Sequence, residues 1–335
     1  KARRELLLNL ELGLVDVVVG THALLEEDVR FANLSLTVTD EQHRFGVEQR
    51  ARLSNKSANA PDVLVMTATP IPRTLALTVY GDLDLSVMKG RPPQRKPVRT
   101  LCYTDERRRE VYAGLVRQVQ AGRQAYVVCP LIEESDVLDV HSAERVYEEL
   151  KRDFLQDIPC ALLHGRLKGA EKDAIMGSFA AGELKVLVST TVIEVGVNVP
   201  NATLMVIENA ERFGLAQLHQ LRGRVGRGSE QSYCVLLTAA DSPEALARLN
   251  VLHESEDGFY LAEKDMEQRG AGQLFGLKQH GLPDLRIADI MRDVDVIAQV
   301  RQLAQAQLRT PEDWAEIRRL VEMQFGERFN MIFNT

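Results

Sequence analysis

The sequence predicts an α/β fold in which a parallel sheet is followed by a helical carboxyl-terminal region. Short runs rich in β-branched residues recur along the chain with helical stretches between them, which is typical of βαβ units. Most of these runs are apolar throughout, as expected for strands that helices cover on both sides of a sheet. Beyond Ser242 such runs stop, and helical periodicity continues through Phe333.

Eight runs are the candidate strands. In chain order they are Val15–Val19, Leu34–Thr39, Val63–Thr67, Ala125–Cys129, Cys160–Leu163, Lys185–Ser189, Thr203–Ile207 and Tyr233–Leu237. Three of them precede Gly90–Pro97, whose three prolines indicate a linker. Because three strands are too few for a complete doubly wound domain, we predict the carboxyl-terminal part of a first domain at 1–90. A linker at 91–97, a second domain at 98–240 and a helical region at 241–335 complete the prediction.

Size and composition narrow the possible classes of protein. A chain of 335 residues suggests two domains, and its start at Lys1 without Met suggests a fragment of a longer protein. No apolar run approaches the roughly 18 residues of a membrane span, and no signal-peptide pattern is visible. The net charge of -7 argues against attraction of the whole surface to nucleic acid, but allows a local basic track. Four cysteines without zinc or disulfide spacing predict free, buried thiols in a reducing cytoplasm.

An acidic pair follows the second candidate strand. Asp40 and Glu41 stand at the carboxyl end of a predicted parallel strand, where α/β sheets bind ligands. Asp40 would hold Mg²⁺, and Glu41 would complete the metal site and orient or deprotonate an attacking water. The alternative is a solvated helix start without a catalytic role.

The segment Gln220–Arg227 concentrates arginine and glycine. Arg224 and Arg227 lie three positions apart, which predicts one helical turn with both guanidinium groups on the same side. Neighbouring glycines would let the backbone approach closely, and the planar fork of arginine matches phosphate oxygens. The alternative is a basic surface loop with structural glycines. No G-x-x-x-x-G-K-[ST] phosphate loop occurs in the chain.

Threonines follow three other candidate strands. Thr67 and Thr69 offer hydroxyls to the carboxylate site. Thr190, Thr191 and Thr21 could contact a phosphodiester backbone without reading bases. A capped helix start explains the first pair almost equally well. Together with the acidic pair, these residues predict that every polar cluster lies at the carboxyl end of a strand.

Five motifs recur in a fixed order along the chain. They are Asp40–Gly46, Thr67–Thr74, Ile132–Ser135, His164–Arg166 and Gln220–Arg227. In order and wording they resemble the motifs of superfamily 2 helicases, and most closely the RecG type of branch-migration helicase. Transcription-repair coupling translocases usually have Glu-Glu-Gln-Arg wording in the acidic motif, and Ile132–Ser135 also favours the RecG type. The resemblance implies two RecA-like lobes that close on ATP, the first partial and the second complete.

The resemblance also implies roles for individual residues. Asp40 and Glu41 would bind Mg²⁺ and activate water, while Arg224 and Arg227 would be arginine fingers. Many relatives have Asp where this chain has Asn198. The implied ATP contacts are Gln42, His43, Gly196 and Asn198, and the implied DNA or coupling residues are Thr21, Thr67, Thr69, Thr190, Thr191 and Gln220.

Two segments after the arginine motif, Asp265–Gly272 and Gln279–Gly281, resemble the translocation motif shared by RecG and the coupling translocases. There a helical hairpin and the loop after it would convert lobe movement into pushing on duplex DNA. Arg248, Arg269 and Gln279 match key positions of that motif. Without the resemblance, these residues would be interpreted as a solvated helix pair and a glycine-rich loop.

The resemblance implies an ATP- and Mg²⁺-dependent DNA helicase that remodels stalled replication forks and migrates branched junctions, including Holliday junctions, in recombination and repair. We expect a monomer on branched and duplex DNA in the bacterial cytoplasm, associated with the nucleoid and away from membranes. Single-stranded-DNA-binding protein is a further expected partner. Without a phosphate loop, this polypeptide is expected to hydrolyse ATP poorly. The alternatives are a transcription-repair coupling translocase and a non-catalytic DNA-binding scaffold.

Overall fold

The computed structural model describes most of the chain. The described residues are 2–26, 28–40, 61–67, 84–88, 90, 95–130, 136–190, 198–239, 242–269, 293–307 and 314–325. The chain forms two compact units, one of residues 1–69 with 295–335 and the other of residues 70–294. The predicted domain boundaries at 90, 97 and 240 stay predictions.

The first unit contains helix α1 (Ala2–Glu11) and the parallel strands β1 (Leu36–Thr39) and β2 (Asp62–Val65). Both strands were predicted, and their observed bounds differ from the prediction by one or two residues at an end. In the register Thr39 pairs with Val65, so the two carboxyl ends lie at the same edge.

The predicted strand at Val15–Val19 is wrong. These residues form no strand, and Val17 and Val19 are 79% and 93% exposed. The run follows Gly13, whose φ of +70° ends α1, and no described strand pairs with it. Apolar, β-branched composition does not make a strand without a partner ladder and a covered face. Thr21 therefore lies not at a strand end but at the start of the short 3₁₀ helix His22–Leu25.

The second unit is built on six parallel strands. They are β3 (Arg99–Thr104), β4 (Gln124–Val128), β5 (Cys160–Leu163), β6 (Val186–Ser189), β7 (Ala202–Ile207) and β8 (Tyr233–Thr238). The spatial order is β3-β8-β7-β4-β6-β5. Five of the six were predicted within two residues. The sequence gives a weak signal for β3 because Arg99, Thr100 and Thr104 interrupt its apolar pattern, which an edge strand tolerates.

Helices cover both faces of this sheet, as predicted. They are α2 (Arg108–Gln120), α3 (Asp136–Asp153), α4 (Gly169–Ala180), α5 (Leu215–Arg222) and α6 (Pro243–Glu254). Alternate residues of β4 separate the two cores: Val127 packs with α2 and α3, whereas Tyr126 packs with α4, α5 and α6. Every residue of β4, β6 and β7 is buried, which explains their continuous apolar sequence.

A helical hairpin follows the sheet. Ser242 caps α6 by accepting a hydrogen bond from the Ala245 N–H, and Pro243 occupies the first turn. After a short turn, α7 (Gly258–Arg269) runs beside α5 and α6. Helices α8 (Val294–Gln307) and α9 (Trp314–Phe325) extend the predicted helical region, and from residue 295 onward they belong to the first unit.

The four cysteines are free thiols. Cys129 and Cys234 are buried, as predicted, and burial raises the pKa of Cys234 to about 12. Cys102 and Cys160 are only half-buried. Within the described ranges, no helix is both long and apolar enough to cross a bilayer.

Candidate functional site

The arginine motif begins in helix α5 and continues past its end. The helix ends at Arg222, so Arg224 and Arg227 do not share a helical turn, and that prediction is wrong. The Arg224 N–H still bonds to the Leu221 carbonyl oxygen, but at Gly226 the chain turns into the left-handed region with a φ of +75°. The arginines therefore lie on an irregular loop, residues 223–228, which we call the arginine loop.

Glycines let the backbone of the arginine loop approach its surroundings closely, as predicted, and these surroundings are another part of the chain. A Cβ on Gly226 would lie 2.6 Å from Val98 Cγ2, and a Cβ on Gly228 would lie 2.7 Å from the Pro200 carbonyl oxygen. Real side chains do not tolerate such contacts without movement of a neighbour. The close approach is thus to the protein itself, and it fixes the path of the arginine loop.

The arginine loop lies at the amino-terminal edge of the sheet. Its neighbours Val98 and Pro200 come shortly before β3 and β7. The expectation that every polar cluster lies at a carboxyl end is therefore wrong for these arginines. The reason is that the chain leaves β7 at the carboxyl edge and returns along α5, so residues after this helix reach the opposite edge. The predicted ATP contact Asn198 is exposed and lies two residues before Pro200, on the same edge.

The charges of the arginine loop are close together. Burial lowers the pKa of Arg227, and the nearby positive charges of Arg224 and Arg95 lower it further. Burial raises the pKa of Tyr126 to about 12, although Arg224 and Arg227 oppose that rise. Like charges held together favour an anion between them, because a negative ligand relieves their repulsion. The arrangement can therefore bind phosphate.

Arg222, in the same motif, has a different environment. Its side chain is 4% exposed and donates to the carbonyl oxygens of Leu252 at 2.8 Å and Ser255 at 2.9 Å. These carbonyls lie at the carboxyl end of α6, where a cation is favourable. His219 Nδ1 lies 3.0 Å from the same guanidinium group. Arg222 thus joins α5 to α6, a role that its position in the motif did not reveal.

Two further hydrogen bonds join the α5 segment to the hairpin. Asp265 of α7, which is 2% exposed, accepts from the Leu215 N–H at 3.1 Å. This carboxylate lies at the amino end of α5, where N–H groups lack helical partners. Arg248 of α6 donates to the Glu211 carbonyl oxygen. Together with the Arg222 bonds, these contacts form what we call the α5 bridge.

The α5 bridge includes one predicted DNA or coupling residue and one that the sequence interpretation missed. Arg248 was assigned to the hairpin and is half-buried there. Asp265 belongs to a motif that was recognised, but a carboxylate in a polar helix gives no sign that it caps another helix. Gln220 is half-buried on α5, and Arg269 is the last residue of α7. Gln279 lies outside the described residues.

At the carboxyl edge of the sheet, polar groups lie at or just after the ends of β5 and β6. The Thr190 hydroxyl, the Ser189 hydroxyl and His164 Nδ1 are buried and have no hydrogen-bond partner among the described residues. Thr190, a predicted DNA contact, is 1% exposed, so its side chain does not form part of the surface. The predicted residues Thr191 and Gly196 lie outside the described ranges.

Glu208, directly after β7, is a buried carboxylate that the sequence interpretation did not select. It is 1% exposed and accepts hydrogen bonds from Arg108 and, at 2.7 Å, from the Tyr112 hydroxyl. Burial raises its pKa, and Arg108 counteracts this rise. The next residue, Asn209, has a left-handed φ of 47°. The ion pair therefore fixes the chain where it turns from β7 towards α5.

In the first unit, Asp40 and Thr67 lie at one edge of the β1–β2 pair. The Met66 N–H bonds to the Thr39 carbonyl oxygen at 2.8 Å, which extends the pairing to the residues beside Asp40 and Thr67. Asp40 is exposed, and its carboxylate oxygens suit Mg²⁺, which proteins often bind with one or two carboxylates, phosphates and water. The described residues contain no cluster of three or more metal-ligating side chains. Glu41, Gln42, His43 and Thr69 lie outside the described ranges.

Three family models match successive parts of the chain. The DEAD/DEAH box helicase model matches residues 1–78, and the helicase conserved C-terminal domain model matches 107–229. The model of ATP-dependent DNA helicase RecG, domain 3, C-terminal, matches 255–324. The motif order expected from the sequence therefore corresponds to two helicase lobes followed by a RecG-specific region.

Curated relatives and a solved structure agree with these models. ATP-dependent DNA helicase RecG of Bacillus subtilis is 50% identical over 316 residues, which is 94% of this chain and 46% of that protein. RecG of Escherichia coli K12 is 53% identical over 297 residues, or 87% of this chain and 43% of that protein. The chain thus spans under half the length of these relatives. A structure of RecG bound to a three-way DNA junction has a TM-score of 0.69 and 47% identity, covering 88% of this chain and 38% of that one.

Proposed function

The chain belongs to the RecG family of helicases, and we propose that it supplies the core of an ATP-driven DNA translocase. One observation carries this proposal: the α5 bridge connects the arginine loop to the α6–α7 hairpin. Bonds at both ends of α5 restrict its movement relative to the hairpin. A displacement of the arginine loop on ATP turnover would therefore be transmitted to the hairpin.

The chemistry at ATP would be divided between the two helicase lobes. Asp40 would hold Mg²⁺, with Glu41 as a further ligand that also orients the attacking water. Arg224 and Arg227 would neutralise charge that develops on the transferring phosphoryl group. ATP would also contact Gln42, His43, Gly196 and Asn198, while Thr67 and Thr69 would couple hydrolysis to DNA movement. When bound, Mg²⁺ would act as a Lewis acid that stabilises negative charge on the phosphate oxygens.

The protein would bind DNA through the phosphodiester backbone of the DNA. Thr21, Thr191 and Gln220 are the proposed contacts or coupling residues, and Arg248, Arg269 and Gln279 would serve the hairpin and its loop. Thr190 would act in coupling rather than as a direct contact, because its side chain is buried. The relative bound to a three-way DNA junction supports branched DNA as the substrate, and we extend this proposal to forks and Holliday junctions. We propose remodelling of stalled forks by a monomer in the bacterial nucleoid, with single-stranded-DNA-binding protein as a partner. The RecG-specific match at 255–324 favours this over a transcription-repair coupling translocase.

The experiment is a pair of substitutions in the full-length protein, Glu41→Gln and Arg227→Ala. Loss of an arginine finger lowers turnover by a factor of about 10³ or more in related phosphoryl-transfer enzymes. We expect DNA-stimulated ATPase activity to fall at least about 100-fold in each variant, with junction binding within about threefold of wild type. Unchanged ATPase activity would instead indicate a non-catalytic DNA-binding scaffold.

The isolated 335-residue chain provides a second comparison. Its sequence contains no G-x-x-x-x-G-K-[ST] phosphate loop, the element that cradles the ATP phosphates in P-loop enzymes. We therefore expect little ATPase activity from this polypeptide in the presence of junction DNA. Robust DNA-stimulated hydrolysis by this chain would contradict that expectation.

A further inference from the structure

The segment before β3 runs alongside the arginine loop. Pro97 accepts a hydrogen bond through its carbonyl oxygen from Gln231 Nε2 at 2.8 Å. Two residues further, the Arg99 N–H donates to the Ser232 carbonyl oxygen at 2.9 Å. Val98, between them, is the side chain that Gly226 approaches. The end of the predicted 91–97 linker is thereby attached to the arginine loop and to the start of β8.

This attachment brings a third guanidinium group, that of Arg95, near Arg224 and Arg227, and we call these three arginines the cluster. Arg95 lies two residues before Pro97 and is exposed. Its charge lowers the pKa of Arg227, after the larger effects of burial and Arg224. In the part of the chain that the structure describes, neither Arg95 nor Arg227 forms an ion pair with a carboxylate. Among the described residues, Arg95 and Arg227 therefore contribute positive charge that no carboxylate pairs.

We propose that Arg95 is a third phosphate-binding residue, which joins Arg224 and Arg227 around the polyphosphate of a nucleoside triphosphate. The inference rests on the proposed function of the arginine loop. Three guanidinium groups present donors in planar forks, which suits a polyanion with many oxygens better than a single carboxylate. Because Arg95 belongs to the predicted linker, phosphate binding would also fix the position of the linker's carboxyl-terminal end.

The first test measures binding of inorganic tripolyphosphate to the 335-residue chain by titration calorimetry. Arg95→Ala is expected to weaken binding at least about tenfold, because it removes charge-assisted hydrogen bonds to phosphate oxygens. Lys96→Ala is the matched control, because Lys96 is the adjacent cation, is also exposed, and is not among the charges that lower the pKa of Arg227. It is expected to change Kd less than twofold. Arg95→Lys should restore only part of the affinity, because lysine keeps the charge but lacks the fork.

Arg227→Ala separates the two proposals. If Arg227→Ala weakens tripolyphosphate binding and Arg95→Ala does not differ from Lys96→Ala, the role of Arg95 is overturned while the arginine loop keeps its function. If Arg227→Ala itself leaves Kd unchanged, the proposed function of the arginine loop fails. Thermal unfolding of Arg95→Ala should match wild type because this side chain is exposed, so a lower affinity would report lost binding rather than misfolding.

Discussion

Arg222 and Arg227 lie five residues apart in one motif, yet their surroundings assign them opposite tasks. Arg222 is 4% exposed and saturates carbonyl oxygens at the end of α6. Arg227 is half-buried, has one long bond of 3.4 Å to the Gly223 carbonyl oxygen, and faces other cations. The guanidinium group of Arg222 uses its hydrogen-bond donors within the fold, whereas that of Arg227 remains available to a ligand. One arginine motif therefore contains a residue that stabilises the fold and a residue that can bind a ligand. Substitutions of the two residues should separate the effect on stability from the effect on activity.

The largest effect on stability is expected from Arg222→Ala. It would remove the cation that satisfies the Leu252 and Ser255 carbonyls, and breaking such a buried charged network costs about 3–5 kcal/mol. Arg227→Ala should change the free energy of unfolding by less than about 0.5 kcal/mol, as for side chains outside such networks. Urea denaturation of both variants measures the difference. Equal losses of stability would remove the distinction between the two arginines.

The stability of the fold should depend on pH through His219, which lies beside Arg222. Burial, and then the charge of Arg222, lower the pKa of His219 from 6.5 to about 4. Between these values the unfolded chain binds a proton that the folded chain does not, so stability is complete above pH 6.5 and falls towards pH 4. At about 1.4 kcal/mol per pH unit, the loss would reach about 3 kcal/mol.

His219→Gln tests this dependence, because glutamine can still accept a hydrogen bond from Arg222 but does not titrate. Denaturation midpoints at a series of pH values between 4 and 7 should show a shallower slope in the variant. An identical slope in wild type and variant would assign the pH dependence to other groups.

A smaller effect concerns the path of the arginine loop. Gly226→Ala should cost about 1 kcal/mol for the left-handed backbone and more for the contact with Val98, in total about 2–3 kcal/mol. Gly122→Ala is the matched control, because Gly122 has a φ of +86° and open space around its Cβ position. It should show the backbone cost alone. Thermal unfolding measures both, and equal destabilisation would mean that contact with Val98 does not fix the loop.

The smallest of these effects is expected for Asp265→Asn. The amide can still accept from the Leu215 N–H, but it loses the charge that favours the amino end of α5, a loss of about 1 kcal/mol. Denaturant unfolding measures this cost. No loss of stability would indicate that the carboxylate charge contributes nothing to the α5 bridge.

The sequence predicts elements well where local pattern and tertiary environment agree. The strands β4, β6 and β7 are buried on both faces, so their apolar runs identify them. Val15–Val19 has a similar composition but pairs with no strand among the described residues, and β3 has a partner but a polar edge sequence. In both cases pairing between distant segments, which sequence pattern does not contain, decides the outcome.

The functional residues also divide into those that the sequence identifies and those that only the fold reveals. Arg224 and Arg227 could be selected because arginine and glycine together suggest phosphate binding. Arg222, Asp265 and Glu208 could not, since each acts through a contact with a helix distant in sequence. Their common sign is a charged residue that becomes buried, and burial is a property of the fold rather than of the local sequence.

The most direct test of the central claim is the ratio of junction DNA unwound to ATP hydrolysed by the full-length protein with Asp265→Ala, which removes the acceptor of the Leu215 N–H bond. This residue lies in the α5 bridge, at the amino end of α5, whereas the arginine loop follows the carboxyl end of that helix. We predict ATP turnover within about threefold of wild type and unwinding reduced at least about tenfold, so that the ratio falls, as expected when coupling rather than chemistry is impaired. A ratio equal to that of wild type would contradict the proposal that α5 transmits ATP turnover to the hairpin.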